Sequence, residues 1–284
     1  MRRPKRRGVL RRPSRKKSGT GVQELGRGLQ QPAALRGAGV SLTDEQRQRY
    51  ARHLALPEVG EAGQEKLLGS KVLVIGAGGL GSPAAFYLAA AGVGTIGLMD
   101  GDTVDLSNLQ RQILHTTASV GTNKTESARD RIAALDPAIT VECHPFRLSA
   151  DNAPEILAGY DFVIDATDNF DSKFLIARAC HEASKPWSHG GIGNFHGQTM
   201  TIIPGQTACY RCIFHEDGAT KEAIPQGPIG ALPGIIGSIQ AIEAIKYLLG
   251  IGELLTDALL MFDALAMSFR KVTVRRNAGC GVCG

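Results

Sequence analysis

Apolar positions along the chain fall into short runs, each closed by a polar or turn-forming residue. Residues 71–75 (Lys-Val-Leu-Val-Ile), 95–100, 139–143 and 161–165 are four such runs, and each has the length of a strand buried on both faces. Helix-length segments lie between them, among them the Ala-rich residues 83–93. Strands alternating with helices predict parallel βαβ units in a doubly wound sheet, with any ligand at the C-terminal ends of the strands. Beyond Pro186 the rhythm changes. Residues 198–203, 258–262 and 269–274 read as strands without regular helical crossovers, which predicts an antiparallel extension of the sheet and a surface able to grip a protein tail. Residues 230–249 are apolar but broken by Pro233, Gly234, Glu243 and Lys246, so they read as a core helix. No run approaches the ~20 apolar residues that a membrane span needs.

The first predicted strand runs into Gly76-Ala77-Gly78-Gly79-Leu80-Gly81-Ser82, and a helix follows. A Gly-x-Gly-x-x-Gly turn in that context lets the backbone approach a phosphate at a helix N-terminus. The second strand ends in Asp100, placed to hydrogen-bond a ribose. That acid serves NAD and ATP equally, and a purely structural turn is a third reading. A Walker-type P-loop is excluded, because Gly121-Thr122-Asn123-Lys124-Thr125 lacks the first glycine at the required spacing. What bears on the choice is the charge downstream. A nicotinamide site holds its diphosphate passively, whereas adenylyl transfer needs cations where charge develops on phosphorus, and Arg111 and Lys124 are candidates. Each would also suit a solvated helix face.

Three runs carry a longer likeness: Val104-Asp105-Leu106-Ser107-Asn108-Leu109-Gln110-Arg111-Gln112, Val163-Ile164-Asp165-Ala166-Thr167-Asp168-Asn169 and Leu232-Pro233-Gly234-Ile235-Ile236-Gly237. With the glycine loop they resemble the MoeB/ThiF family of adenylyltransferases, relatives of the adenylating half of ubiquitin-activating enzymes. The resemblance runs from about Leu42 to Gly284. It implies a Rossmann-like α/β fold: a doubly wound, mostly parallel sheet with an antiparallel C-terminal extension and a structural zinc knuckle. It also implies a nucleotide site of Gly76, Gly78, Gly79 and Gly81, with Asp100 on the ribose and Asn108, Arg111 and Lys124 around the phosphates. Asp102, Ser107, Leu109, Gln110 and Asn169 complete that site. Asp168 matches the acid that helps hold Mg2+, and Arg52 matches an arginine that reaches into the partner's site of a homodimer. Without the family, Thr167-Asp168-Asn169 reads equally well as a cap for a helix beginning near Asp171, and Arg52 as an ordinary exposed helix residue.

Cys209-x-x-Cys212 and Cys280-x-x-Cys283 form two knuckles with the spacing of a tetrahedral Zn2+ site, which would clip the C-terminus onto the domain. Disulfides are the alternative. No signal peptide is read in the sequence, which disfavours them and makes a cytoplasmic protein the expectation. Cys143 and Cys180 fall outside the pattern and read as small buried hydrophobes. Many relatives carry another cysteine between the first knuckle and the Leu-Pro-Gly segment. Here Ala223 occupies that position, which predicts activation without transthiolation.

The charge divides sharply. Residues 1–40 hold 12 Lys or Arg against one acid, and the remaining 244 residues hold 20 against 26, so a tail of net +11 precedes a body of net −6. The tail reads as disordered and as an over-extended start rather than a nucleic-acid arm or targeting peptide, and residues 41–284 as one adenylation domain. No rhodanese-like sulfurtransferase segment is expected after the second knuckle.

The resemblance implies MgATP-dependent adenylation of the C-terminal glycine carboxylate of a ubiquitin-like sulfur carrier ending in Gly-Gly. A separate sulfur donor would then form a thiocarboxylate for molybdopterin, thiamine or cysteine biosynthesis. No general base is needed, since a carboxylate is already ionised at neutral pH, so Ser107, Thr167, His115 and His189 read as local hydrogen-bonding residues. Two alternatives stand beside this: a tRNA-modifying dehydratase of the same superfamily, disfavoured by the acidic body, and a scaffold that binds nucleotide or carrier without turnover, disfavoured by Arg111, Lys124 and Asp168 occurring together.

Overall fold

The computed structural model describes residues 41–215 and 227–284. The basic tail and Ala223 lie outside the described residues.

One eight-stranded sheet organises these residues, in the order β3-β2-β1-β4-β5-β6-β7-β8. Strands β1 (Lys71–Ile75), β2 (Thr95–Met99), β3 (Thr140–His144), β4 (Phe162–Asp165) and β5 (Trp187–Gly193) are parallel. Strands β6 (His196–Ile202), β7 (Ala258–Asp263) and β8 (Ser268–Thr273) continue the sheet in antiparallel sense. The expected strands all form, within two residues of the expected ends. The expected core helix spans Ala231–Leu249, and just over half of it is buried in the protein.

The period-two alternation of β1 separates two cores. Val72 and Val74 face one side with Ile96, Leu98, Phe162 and Ile164. On that side lie helices α4 (Gly81–Ala90), α5 (Lys124–Leu135) and α8 (Ala231–Leu249). Leu73 and Ile75 face the other side with Met99, Val163 and Trp187, against α6 (Ala153–Ala158) and α7 (Phe170–Glu182). Burial on both faces is why these strands read as continuous apolar runs rather than alternating ones.

Strand β5 is an addition to the sequence reading. Its sequence, Trp-Ser-His-Gly-Gly-Ile-Gly, has no strand signature because the space around it was already filled. A Cβ on Gly190 would lie 2.5 Å from Gln240 Oε1 of α8. Two of its polar neighbours are satisfied internally: Thr199 Oγ1 donates to the His189 carbonyl at 2.8 Å, and Thr201 Oγ1 donates to Glu243 Oε2 at 2.6 Å; Gln240 Oε1 is buried without a partner among the described residues. The α4–α8 contact is close for a similar reason, since a Cβ on Gly237 would fall 2.3 Å from the Leu80 carbonyl oxygen.

Three N-terminal helices, α1 (Asp44–Arg49), α2 (Ala51–Leu54) and α3 (Gly60–Gly69), precede the sheet. Thr43 and Gln46 form a capping box on α1. Buried Tyr50 donates to Asp136 Oδ2 at 2.9 Å, and Arg49 pairs with the same oxygen at 3.3 Å, which docks this segment beyond the end of α5.

Candidate functional site

Chain order reverses between β1 and β4, which opens a crevice at their C-terminal ends. Ile75 pairs with both Met99 and Asp165, so the residues that follow the three strands emerge side by side. Gly76, at φ +100°, makes this packing possible: a Cβ there would sit 2.7 Å from the Ala166 carbonyl oxygen. Gly81 is needed for a different reason, because its Cβ would lie 1.8 Å from the Gly76 carbonyl oxygen where the loop folds back onto α4. Gly78 is open enough for backbone approach, with Gln112 Nε2 as its nearest neighbour at 3.5 Å, and Gly79 faces Arg111 and Pro233.

Asp100 holds this loop. One of its oxygens accepts the Ala77 N–H and the other the Asp102 N–H, both at 2.9 Å. Below the loop, buried His115 bridges the Ala77 carbonyl at 2.9 Å and Ser127 Oγ at 3.0 Å. Burial lowers its pKa, so the ring is neutral at pH 7, with Nε2 donating to Ala77 and Nδ1 accepting from Ser127. This supporting histidine was legible only as a local hydrogen-bonding residue, which is its role here.

The second part of the site comes from residues 102–124. An isolated β-bridge joins Thr103 to Asn123, and Lys124 N–H donates to the Asp102 carbonyl at 3.1 Å. These bonds bring Lys124, the first residue of α5, back to Asp100 and Asp102. Its ammonium lies 3.1 Å from Asp102 Oδ2 and 3.9 Å from Asp100 Oδ1, with only 8% of the side chain exposed. Asp102 also receives Arg147 at 3.0 Å, and this contact first, then Lys124, holds its carboxyl below the usual range. A 3-10 turn, Leu106–Asn108, is closed by a capping box in which Asn108 Oδ1 accepts the Asp105 N–H. That fixes the Asn108 amide, and Arg111 donates to the Ser107 carbonyl at 3.3 Å. Ser107 and Gln110 are exposed, Leu109 is half-buried, and the Gln110 carbonyl abuts Gly230 at the head of α8.

Asp168 is exposed just beyond β4, with one weak contact from Asn169 Nδ2 at 3.4 Å. The capping reading of this segment holds for its neighbour: Asn169 Oδ1 accepts the Ser172 N–H at 2.9 Å, and α7 begins at Phe170. Beneath Asp168 lies a buried cluster whose meeting on Asp165 the sequence did not show. Asp165 Oδ2 accepts from Lys173 at 3.0 Å and from His189 Nδ1 at 3.1 Å, while its Oδ1 accepts from Thr167 Oγ1 at 2.6 Å. Burial raises the Asp165 pKa, but Lys173 and His189 outweigh it and bring the group down to about 2. Burial also lowers His189 to about 4. Thr167 and His189 read from the sequence as local hydrogen-bonding residues, which is their role here, whereas Asp165 read only as the close of an apolar run and Lys173 carried no signal.

Arg52 is exposed on α2, and no hydrogen bond or ion pair joins it to the glycine-loop site within the described residues.

On the opposite core face, Cys209, Cys212, Cys280 and Cys283 converge with all four sulfurs within 4.8 Å. The individual separations are 3.8 Å (209–212), 3.5 Å (209–280) and 3.4 Å (212–283). All four thiols are free, so the disulfide alternative falls. Four sulfurs at 2.3 Å from a tetrahedral Zn2+ would stand about 3.8 Å apart, so the cluster has the dimensions of a four-cysteine zinc site. The cysteines differ in setting: burial raises the Cys209 and Cys283 thiols, whereas the Asn277 N–H points at Cys212 Sγ at 3.4 Å. Burial raises the Cys280 thiol, but the amides of Cys283 and Val282 bring it down to about 7. Cys143 and Cys180 stay apart, half-buried on β3 and buried on α7 respectively.

Known proteins agree with this picture. The ThiF family model matches residues 50–282. The sulfur carrier protein adenylyltransferase of Thermus thermophilus is 47% identical over 250 residues, 85% of this chain and 92% of that one. The SAMP-activating enzyme E1 of Haloferax volcanii is 46% identical over 86% of this chain and 92% of that one. Among solved structures, Escherichia coli MccB with ATP superposes with a TM-score of 0.72 at 25% identity, covering 83% of this chain and 73% of that one. A family match across most of the described residues, and relatives this similar over nearly their full length, lead to one conclusion: the chain belongs to the ThiF family.

Proposed function

We propose that this enzyme adenylates the C-terminal glycine carboxylate of a ubiquitin-like sulfur-carrier protein. The carrying observation is the grouping of Asp100, Lys124 and Arg111 around a glycine loop at the sheet's switch point. The names of the two relatives above, a sulfur carrier protein adenylyltransferase and a SAMP-activating enzyme, support the same chemistry.

In this reading the triphosphate lies along the open backbone of Gly78 and Gly79, and Asp100 takes the ribose with lone pairs left over from its two backbone contacts. Ser82 Oγ and Gln112 Oε1, both beside the loop, are buried without a partner among the described residues, which leaves polar capacity for a ligand. The carrier carboxylate attacks the α-phosphorus and pyrophosphate leaves. Arg111 and Lys124 stabilise the charge that gathers on the phosphates, and Asn108, held by its capping box, orients them. Mg2+ would be held by the exposed Asp168 carboxylate, an oxygen ligand of the kind this ion prefers, and would neutralise phosphate charge. Zn2+ at the four cysteines would be structural.

The carrier would lie against the antiparallel end of the sheet. There Phe195, Leu265, Met267 and Phe269 are exposed around the β5–β6 and β7–β8 turns, apolar groups of the kind that mark a protein contact. The acidic body suits a protein substrate better than a nucleic acid. Arg52, unengaged among the described residues of its own chain, would complete the partner's site in a homodimer. A separate protein would donate sulfur, and reduced cysteines suit a cytoplasmic setting.

The test is ATP–pyrophosphate exchange by the zinc-replete protein, with each candidate Gly-Gly-ending carrier added in turn and Lys124→Ala as control. Exchange that depends on one carrier identifies the substrate. ATP binding with no exchange for any carrier would overturn the proposal.

A further inference from the structure

Asp102 is shared by two cations, one on each oxygen. Lys124 lies 3.1 Å from Oδ2 and Arg147 lies 3.0 Å from Oδ1. The two differ in setting. The Lys124 side chain is 8% exposed, whereas that of Arg147, in the loop after β3, is 80% exposed and keeps its hydration. The carboxylate between them cannot follow either one. The main chain that carries it is fixed: the Asp102 N–H donates to Asp100 Oδ1, the Asp102 carbonyl accepts the Lys124 N–H, and Val104 is bonded in both directions to residues 121 and 122. Gly101 lets Arg147 come this close, since a Cβ there would already meet the Arg147 Cγ at 3.3 Å. The other charges facing the group are Asp100, 3.9 Å from the Lys124 ammonium, and Asp168, which acts on Arg147 through space.

If Lys124 is to serve the phosphates, its ammonium must leave Asp102, and a fixed carboxylate deprived of its partner in a half-buried site raises the energy of that step. We propose that Arg147 is a positioning residue that acts as the standing counter-ion of Asp102, neutralising it while Lys124 swings from the carboxylate to the nucleotide. The division of labour follows from side-chain chemistry. Lys124 is a point charge on a flexible four-carbon stem and can change partners, whereas the planar guanidinium of Arg147 holds one carboxylate in fixed geometry. The proposal rests on the nucleotide reading of the site. It assigns Arg147 no contact with the substrate.

The energetic demand arises when Lys124 leaves, which is on binding. Arg147→Ala in the full-length, zinc-replete protein is therefore expected to weaken ATP binding in calorimetric titration, and to raise the KM for ATP in pyrophosphate exchange, by about three- to tenfold, the range of a partly exposed ion pair. The kcat should stay within about twofold, because the cost is already met in the bound state. Arg147→Lys should restore most of the affinity, and in an Asp102→Asn background the effect of Arg147→Ala should vanish, since no carboxylate remains to be neutralised. An equal effect in both backgrounds would show that Arg147 acts on the nucleotide directly, and no effect in either would remove the role altogether. A nucleotide-free measurement separates this proposal from the functional reading. The acetylation rate of Lys124, followed by mass spectrometry without ATP, should fall about two- to fivefold in Arg147→Ala, because Asp102 then holds the ammonium alone. An unchanged rate overturns the counter-ion role. A slowed rate in a protein that binds no ATP overturns the nucleotide reading and leaves the sharing of Asp102 standing.

Discussion

Around the β1–β4 crevice, most groups that gather at the glycine loop come from one stretch, residues 76–124, and are joined by bonds such as Ala77 N–H to Asp100 and Lys124 to Asp102. At the antiparallel end, the four cysteines bring residues 209–212 against 280–283, and no backbone pattern between them predicts the meeting. The strands differ in the same way: Val72 through Ile75 of β1 are buried, whereas β8 is exposed along nearly its whole length. One region is held by local hydrogen bonds on a buried apolar frame. The other has less core and depends on a cross-link between distant parts of the chain. Damage to the first should therefore cost chemistry before stability, and damage to the second stability before chemistry.

The sharpest test of that contrast is loss of the clip. Cys283→Ser, or exhaustive chelation, should destabilise the protein by more than about 4 kcal/mol, since structural Zn2+ sites contribute folding free energy directly. Urea unfolding checks this. A metal-free protein as stable as the zinc-loaded one would erase the distinction. At the other region, Lys124→Ala should lower pyrophosphate exchange by about 100- to 1,000-fold, the scale of one lost charge-stabilising donor, while the urea midpoint moves little. Next is Gly81→Ala. Its methyl group would be driven into the Gly76 carbonyl, so about 3 kcal/mol of stability should be lost together with ATP affinity. If that variant unfolds normally and binds ATP, the close packing at Gly81 is not needed.

The buried cluster between the two regions gives a pH test. His189 stays neutral in the folded protein down to about pH 4, whereas an unfolded histidine protonates near 6.5, so the unfolded state binds the extra proton in between. Stability should therefore fall as pH drops from 6.5 to 4, by on the order of 2 kcal/mol. Asp165, lowered to about 2, adds a further loss as pH falls below the usual carboxylate range. Urea midpoints across this range should slope less steeply in His189→Gln, and an unaltered slope would assign the dependence to other groups. The smallest effect is expected at the start of α7, where Asn169→Ala removes a helix cap at a cost of about 1 kcal/mol. A change in ATP affinity far larger than that would give Asn169 a role in the nucleotide site besides the cap.

Wherever a function depends on neighbours in the chain or on strand periodicity, it was legible from the residues. The buried runs of β1, β2 and β4, the glycine turn with its flanking strand and helix, and Asp100 at a strand end follow from steric and burial rules that act over a few residues. The two Cys-x-x-Cys knuckles likewise announced thiolate chemistry by spacing alone.

Tertiary structure decided what those rules cannot reach. Strand β5 carries glycines because Gln240 of α8 occupies the space above Gly190, a fact located fifty residues away. His115 supports the glycine loop through the Ala77 carbonyl, and Lys173 and His189 meet on Asp165, only because α5, α7 and β5 pack where they do. Arg147 shares Asp102 with Lys124 because β2 and β3 end side by side. Local sequence determines which conformations and chemistries each segment can offer, and long-range packing determines which of those groups meet.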